Sequence, residues 1–369
     1  MSASAPAIRG GRSVIERSPL SRLPDQILQF GLAGIAAGVL VLLGAFFVVL
    51  VAQSSSAFSH VGIFNFLFHN NWDVSQLSQG AACDAGRGCS FGAWPMLLGT
   101  LLTAGIALVI GVPVAVATSL FLTELCPRRL RTPLSILVDL LAAVPSVVYG
   151  LWGFLVLAPK LRGFQQFLAD KLSFLPFWAG QVAGPSYFLA GLILAIMILP
   201  IVSAIAREVI ATVPAEHKEA ALALGATRWE AIRIAVIPYA RPGITGGAML
   251  GLGRAIGETI AVAYVIGGST TLGHSIFAQG QSLAGVIALQ FGEAESTPLY
   301  KSSLLAAGLI LFVLTLLVNL MARQYVVRAG RLGGGGGSRR RFGGRRGGGA
   351  ALPGITELEP GAGAAGAAG

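Results

Sequence analysis

The stretch "VPAEHKEAALALGATRWEAIRIAVIPYARPG", residues 213–243, is a polar segment held between two long apolar runs. Pro214 fits the first turn of a helix, and residues 216–224 have the composition to continue it. Gly225 can adopt the left-handed conformation that ends such a helix. The first half of the stretch therefore predicts a short helix followed by a glycine turn.

The second half of the stretch contains the signals for another helix. Thr227 and Glu230 have the spacing of a capping box, in which each side chain bonds the other residue's backbone N–H. Pro238 cannot donate a backbone hydrogen bond, so we expect this second helix to end there. The whole stretch predicts a helix, a tight turn and a second helix.

The composition of the chain is that of an integral membrane protein. Of its 369 residues, 54% are hydrophobic and 11% are charged, whereas soluble domains have about 25% charged residues. A helix needs about 20 apolar residues to cross a bilayer. No apolar run alternates as a membrane β-barrel strand would, so we predict an all-α protein with six transmembrane helices. The six segments are about 28–52, 94–122, 134–158, 185–206, 243–268 and 302–322.

The basic residues predict the orientation of these helices. If both termini are cytoplasmic, 20 of the 26 Lys and Arg residues lie on the cytoplasmic side. The first apolar run is longer than the roughly 7 to 15 residues of a signal-peptide core, so we expect a retained anchor. The predicted organisation is a cytoplasmic arm (1–27), a multi-pass domain (28–325) with a cytoplasmic loop (207–241), and a disordered Gly/Arg-rich cytoplasmic tail (326–369).

The predicted helix-turn-helix does not indicate a DNA-binding protein. Both of its ends enter an apolar run within a few residues, which leaves no room for a third supporting helix or for a dimer with operator spacing. The net charge of +10 is accounted for by topology, so no nucleic-acid partner is needed. A compact protrusion that inserts into a cytoplasmic partner fits the loop better.

The loop resembles that of the permease subunits of ABC importers, whose pattern is EAA, three residues, Gly, nine residues, Ile, one residue and Leu-Pro. Glu219, Ala220, Ala221, Gly225 and Pro238 match this pattern, while an Ala and an Ile replace its Ile and Leu. The resemblance implies the type I permease fold of ABC importers. It also implies that this loop is the coupling helix that docks on an ATP-binding subunit.

The energy source must then lie on another polypeptide. None of the four lysines is preceded by Gly, so the chain has no Walker A motif. We therefore expect a transporter subunit that is not an enzyme and binds no cofactor, with ATP and Mg²⁺ held by the partner ATPase.

Arg254 and Glu258 lie inside the fifth apolar run, in "GLGRAIGETIAV" at 251–262. Arg254 is 12 residues beyond Pro242, about 18 Å along a helix and near the midplane, where a charge costs roughly 2.5 to 3.5 kcal/mol. One explanation is an i, i+4 ion pair between the two residues. The other is that Arg254 binds an oxyanion while Glu258 limits how tightly it is held.

Two stretches, "GLGRAIGETIAVAYVIGG" (251–268) and "AAVPSVVYGLWGF" (142–154), are similar to the C-type permease subunit of the bacterial phosphate-specific ABC importers. The resemblance implies phosphate transport across the cell membrane, with Arg254 and Glu258 in the translocation path. It also implies that this chain, embedded in the lipid bilayer, has four kinds of partner. These are a homologous A-type permease, two ATP-binding subunits, an extracytoplasmic phosphate-binding protein and phosphate itself.

Other chemistry-bearing residues give weaker signals. Cys83 and Cys89 share an external loop and can pair if the compartment is oxidising, but two free thiols fit equally well, whereas Cys126 should stay reduced. No metal-ligand spacing appears around His60 and His69, so we expect no metal site.

Asp139 with the prolines of the spans, and the arginines of the tail, each allow two interpretations. Asp139 and the prolines in the spans are interpreted as structural, although a carbonyl freed by a proline can also bind or hinge. The arginines at 339–346 can bind anionic lipid or RNA, but a solvated tail that helps to set the topology is favoured.

Three alternative functions stay in competition. The chain can be a permease for sulfate or molybdate, since its chemistry does not separate these anions from phosphate. The intramembrane charges also suit an ion-coupled secondary transporter, which would work without an ATPase. A membrane-tethered regulator would use the basic tail or the loop to hold nucleic acid, and deletion of 332–369 should then abolish its function.

Overall fold

The computed structural model describes residues 23–73, 90–174, 177, 178, 180, 182, 184–294 and 297–333. The cysteine pair of the first external loop, the start of the predicted N-terminal arm and most of the predicted tail lie outside the described residues. The last helix continues to Gly333, so it extends into the segment that the sequence assigned to the tail.

The regular secondary structure of the described chain is helical apart from one short pair of strands and an isolated bridge between Gly267 and Gly280. Three helices are followed directly by π-helical turns, at Phe121–Leu125, Gly153–Leu157 and Ile232–Val236. The antiparallel strands pair Trp72 with Phe91. In chain order the elements are α1 (Leu23–Val61), α2 (Ile63–Phe68), β1 (Trp72–Asp73), β2 (Ser90–Phe91), α3 (Trp94–Leu120), α4 (Arg128–Ala143), α5 (Ser146–Trp152), α6 (Ala158–Lys171), α7 (Tyr187–Ala211), α8 (Ala215–Ala223), α9 (Arg228–Ala231), α10 (Ile237–Ile256), α11 (Ile260–Val265), α12 (Leu283–Ala294) and α13 (Pro298–Gly333).

Five helical segments of the described chain are long and apolar enough to cross a membrane. They are Leu28–Val61, Trp94–Leu125, Ser146–Lys171, Tyr187–Ala211 and Pro298–Gln324. The remaining predicted segment, 243–268, is present as α10 and α11 with a break between them. The all-helical membrane fold predicted from the sequence is therefore confirmed, with the third and fifth of its six predicted segments interrupted.

The third apolar segment differs from its predicted bounds of 134–158. The helix is broken at Val144, which is extended with ψ of 127° because a residue before proline avoids the helical region. The residues before the break form α4, in which no residue is buried, and the apolar span starts at Ser146. It then continues through the second π-turn into α6, residues that the sequence had assigned to an external loop.

Helix α7 is the centre of the bundle. In its apolar window 61% of the residues are buried, compared with 6% in that of α1, so α7 lies inside and α1 at the periphery. Small residues let α3 approach closely, because a Cβ on Gly191 of α7 would lie 2.5 Å from the Ile106 side chain. The core around α7 is completed by residues of α10 and α11.

The end of the bundle that carries α8 and α9 is called the loop end here. At the opposite end, an aromatic cluster joins the strand pair to α13, with Trp72 packed edge-on against Phe66 and Phe91. Gln290 of α12 accepts hydrogen bonds from the Trp72 indole (3.0 Å) and from the Tyr300 hydroxyl (2.8 Å). The Ser302 hydroxyl of α13 donates to the Gln53 carbonyl of α1 (2.7 Å), so the first and last spans are also linked at this end.

Candidate functional site

The loop between α7 and α10 has the predicted helix, turn and second helix. Helix α8 spans Ala215–Ala223, and Gly225 follows with φ of +86°, a left-handed conformation that disfavours other residues. The Gly225 N–H donates to the Leu222 carbonyl (3.0 Å), and the Ala226 N–H donates to the Ala221 carbonyl (3.2 Å). These bonds satisfy carbonyls at the helix end, so the predicted glycine turn is confirmed.

The capping box of α9 is also confirmed. The backbone N–H of Thr227 donates to the Glu230 carboxylate (2.7 Å), and the Glu230 N–H donates to the Thr227 hydroxyl (3.3 Å). The Thr227 hydroxyl donates to the same carboxylate (2.8 Å). The backbone N–H and then the hydroxyl of Thr227 hold the pKa of the Glu230 carboxyl below its ordinary value. The capping box is therefore favoured when the Glu230 carboxyl is ionised.

Pro238 does not end the second helix, so that prediction is wrong. The chain passes from α9 through the π-turn at Ile232–Val236 into α10, where Pro238 occupies the first turn. The Ile237 N–H bonds the Ile232 carbonyl, five residues back. This wider turn accommodates a residue that has no N–H to donate. The loop is consequently continuous with the helix that carries Arg254.

The residues that match the EAA pattern divide between two faces of α8. Glu219 and Ala220 are exposed, whereas Ala221 is 6% exposed and faces the body of the protein. Sequence reasoning missed two apolar side chains beside the turn, Leu224 (89% exposed) and Trp229 (60% exposed). Large apolar side chains on either side of a predicted glycine turn are the signal that would have identified them. Together they give the tip of the loop an apolar surface.

An ion pair attaches α8 to the end of α3. The Lys218 ammonium donates to the Glu124 carboxylate at 2.5 Å, and both side chains are mostly buried. The two residues line a cavity of about 220 Å³, to which Leu222 and Arg228 also contribute. The ion pair therefore connects any movement of α8 to the π-turn that contains Glu124.

Arg254 and Glu258 are not held together as one helical pair. Helix α10 ends at Ile256, and no ion pair joins the two residues in the described part of the chain. Arg254 is exposed on the surface of this single chain, and Glu258 is half-buried. The i, i+4 ion pair considered from the sequence is therefore not present. The break at Gly257 separates the two charges.

A small cavity of about 40 Å³ connects Arg254 with the proline break of the third apolar segment. Its wall includes Val144 and Tyr149 on one side and Met197 of α7 on the other. Pro145 has no N–H for the Leu141 carbonyl four residues before it, and the Tyr149 hydroxyl donates to that carbonyl instead (2.8 Å). The break is thus satisfied internally and places Arg254 beside it.

Asp139 forms an ion pair with Arg207, which joins α4 to α7 toward the loop end. The Arg207 Nη2 donates to the Asp139 carboxylate, and its Nε donates to the Ser203 carbonyl (3.3 Å). The Arg207 side chain is 15% exposed and that of Asp139 is 52% exposed. Sequence reasoning identified no partner for Asp139, because the two residues are 68 positions apart.

Comparison with known proteins agrees with this architecture. A family model described as binding-protein-dependent transport system inner membrane component matches residues 107–329. The phosphate transport system permease protein PstC of Mesorhizobium japonicum is 42% identical over 329 residues, which cover 88% of this chain and 95% of the relative. PstC 2 of Mycobacterium tuberculosis is 44% identical over 303 residues, covering 80% and 90%.

The chain belongs to the PstC permease family. A solved bacterial ABC transporter involved in import of the acidic polysaccharide alginate shares its fold, with a TM-score of 0.50 at 17% identity over 83% of this chain and 99% of the other. As a family member, the chain is a membrane component of a binding-protein-dependent transport system and not an enzyme. The permease resemblance inferred from the EAA and Arg–Glu motifs is confirmed.

Proposed function

We propose that this permease forms the phosphate path of an ATP-driven importer, with Arg254 and Glu258 inside the path. Three PstC relatives, from Mesorhizobium, Haemophilus and Mycobacterium, have phosphate transport in their names and cover most of this chain. The observation that carries the site assignment is the exposure of Arg254 on a single chain at a cavity between two apolar segments. A charge at that depth needs a polar surrounding, which a path between two permeases supplies.

The separation of the two charges supports an open anion site. Arg254 has no ion-pair partner in the described chain, so its planar donor fork is available to an oxyanion. Glu258 lies beyond the helix break, where it opposes retention of the anion without neutralising Arg254. Conduction requires such a balance, because a site that binds too tightly does not release.

The partners in this proposal follow the resemblance described above. A second, A-type permease completes the path, and an external phosphate-binding protein delivers the anion. Two ATP-binding subunits, which hold ATP and Mg²⁺, dock on the loop through Glu219, Ala220 and Gly225, with Leu224 and Trp229 as apolar contacts, while the buried Ala221 lets α8 pack closely on the body of the protein. Pro238 then lies in the helix that continues from this loop. Both termini are cytoplasmic in the bacterial membrane, in agreement with the distribution of basic residues.

Reconstitution of the complete transporter in proteoliposomes tests this function. We expect ATP-dependent uptake of labelled phosphate that Arg254→Gln abolishes while assembly and ATPase docking persist. Arg323→Gln, which removes an exposed arginine from α13, is the matched control and should transport normally. Normal uptake by Arg254→Gln would remove the proposed role of this residue. Preferred uptake of sulfate or molybdate would reassign the substrate, and uptake without the ATPase would favour a secondary transporter.

A further inference from the structure

The groove between α4 and α7 contains two cavities in a row. The first is the small cavity beside Arg254, which contacts α7 at Met197 and Ile201. The second has a volume of about 320 Å³ and contacts α7 further along, from Ala204 to Ala211. On α4 the order is reversed, so the two helices run antiparallel and the cavities follow one line toward the loop end.

The Asp139–Arg207 ion pair lies between these two cavities. Arg207 itself lines the second cavity and is six residues beyond Ile201, which lines the first. At about 1.5 Å per residue, the two positions are roughly 9 Å apart along α7. Each cavity therefore has a guanidinium in its lining, Arg254 in the first and Arg207 in the second.

We propose that Arg207 is a second oxyanion contact in the transport path and that Asp139 is the carboxylate which the passing anion displaces. The proposal rests on the proposed function, because it extends the path from Arg254 toward the loop end. The anion leaves Arg254, replaces the Asp139 carboxylate on Arg207, and is released when the carboxylate returns. No bond is made or broken covalently in this exchange.

The hydrogen bonds of Arg207 suit such an exchange. The Nε donor is fixed on the Ser203 carbonyl, which orients the guanidinium, while Nη2 bonds Asp139. Asp139 is 52% exposed, so its carboxylate can be solvated when it is displaced. An ion pair with one half-exposed partner is weaker than a fully paired buried one, so the Asp139 carboxylate can be displaced.

Two arginines line the second cavity, and their hydrogen bonds show which of them is available to bind the anion. Arg131 also lines it, but its Nε bonds the Leu122 carbonyl (2.7 Å) and its Nη2 bonds the Thr123 carbonyl. These bonds anchor Arg131 to the end of the second span. Glu208 lines the same cavity and repels an anion, which favours release at this end. Arg207 is consequently the cation that stands between the two cavities.

The test measures uptake of labelled inorganic phosphate and ATP hydrolysis by the complete transporter in proteoliposomes. We expect Arg207→Gln to lower the maximal uptake rate by about tenfold or more, the size expected for loss of a charge-assisted contact. Arg207→Lys keeps the charge and should retain more uptake than Arg207→Gln. Asp139→Asn should lower both the apparent KM and the maximal rate, because the anion is then displaced less readily.

A double variant separates transport from folding. Asp139→Leu with Arg207→Met replaces the ion pair by apolar side chains, an exchange that is often neutral for stability. We expect this variant to assemble and to keep its thermal stability, yet to lose uptake as Arg207→Gln does. Arg323→Gln is the control for removal of an arginine elsewhere in the chain and should transport normally.

Uptake by the double variant within about twofold of the wild type would overturn the proposal. If Arg207→Gln and the double variant both fail to assemble, the ion pair has a structural role, and this result would also overturn the proposal. If Arg254→Gln is inactive while the double variant transports normally, only this inference fails. If the wild-type transporter moves no phosphate, the proposed function itself fails.

Discussion

Neutralising Glu124 should weaken the attachment of the docking loop, the segment between α7 and α10, although Glu124 itself lies outside that loop. The carboxylate accepts a hydrogen bond from Lys218 at 2.5 Å, with 16% of the Glu124 side chain and 27% of the Lys218 side chain exposed. Exposed ion pairs contribute up to about 1 kcal/mol, and breaking a fully buried pair costs about 3 to 5 kcal/mol. A pair that is mostly but not wholly buried lies between these limits, so we expect Glu124→Gln to cost about 2 kcal/mol.

Hydrogen exchange of the α8 amides measures this cost locally. A loss of about 2 kcal/mol in the free energy of opening corresponds to roughly 30-fold faster exchange, if opening and closing are fast relative to exchange. The measurement is made on the assembled transporter without nucleotide. Amides of α7 serve as the internal reference, because that helix is the buried centre of the bundle.

A double-mutant cycle shows whether the ion pair is the cause. Lys218→Met should accelerate exchange as Glu124→Gln does, and the double variant should cost about 1 to 2 kcal/mol less than the sum of the two. Glu216→Gln is the control, since Glu216 is an exposed acid in the first turn of α8 and contributes about 0.3 to 1 kcal/mol through the helix dipole. Additive effects in the cycle, or α8 exchange within threefold of the wild type, would refute the reasoning.

Three further predictions concern local packing. Thr227→Ala should destabilise the turn by about 0.5 to 2 kcal/mol at neutral pH, measured by hydrogen exchange. Because the folded-state pKa of Glu230 is lowered, its contribution is complete above the ordinary carboxyl pKa and is lost as the pH falls through the folded value, so the difference between the two proteins should shrink in acid. Gly99→Ala places a Cβ 2.1 Å from a backbone carbonyl oxygen and should lower the unfolding temperature, whereas Gly105→Ala in the same helix meets nothing within 4 Å and should not. Tyr149→Phe leaves the carbonyl at the proline break without its partner and should cost about 1 to 3 kcal/mol in thermal unfolding, and an unchanged transition would contradict this.

Local chemistry is what the sequence predicted well. The Gly225 turn and the capping box depend on residues within five positions of one another, and both are present as expected. Four of the five long spans follow from uninterrupted apolar composition in the same way, the exception being Ser146–Lys171. In each of these elements the deciding interactions lie within a short stretch of chain.

Breaks within helices were predicted less well. Pro145 and Pro238 carry the same steric constraint, yet the chain breaks before Pro145 and continues through a π-turn before Pro238. The Leu141 carbonyl finds the Tyr149 hydroxyl at the first break, whereas wider backbone bonds absorb the second. Which solution forms depends on neighbours that proline itself does not specify.

The ion pairs of the site had no sequence signal at all. Glu124 and Lys218 are 94 positions apart, and Asp139 and Arg207 are 68 apart. Arg254 and Glu258 have the i, i+4 spacing that suggests a pair, but the helix ends between them. Spacing predicts a contact only where the helix is continuous, and contacts between distant segments require the packed fold.

The packed fold also relates the docking loop to the proposed path. Lys218 attaches α8 to the end of α3, and α3 packs along α7 through close contacts such as that of Gly191 with Ile106. Arg207 lies on α7, so a displacement of α8 reaches its ion pair through two packed helices. The loop also continues through the π-turn into α10, which carries Arg254. If ATPase docking moves the loop, the first route moves Arg207 through α3 and α7, and the second moves Arg254 through α10. The two arginines then shift relative to each other, which passage of an anion from one to the other requires. Loss of the Glu124–Lys218 pair should then lower phosphate uptake per ATP hydrolysed, since it weakens the first route and leaves the second intact.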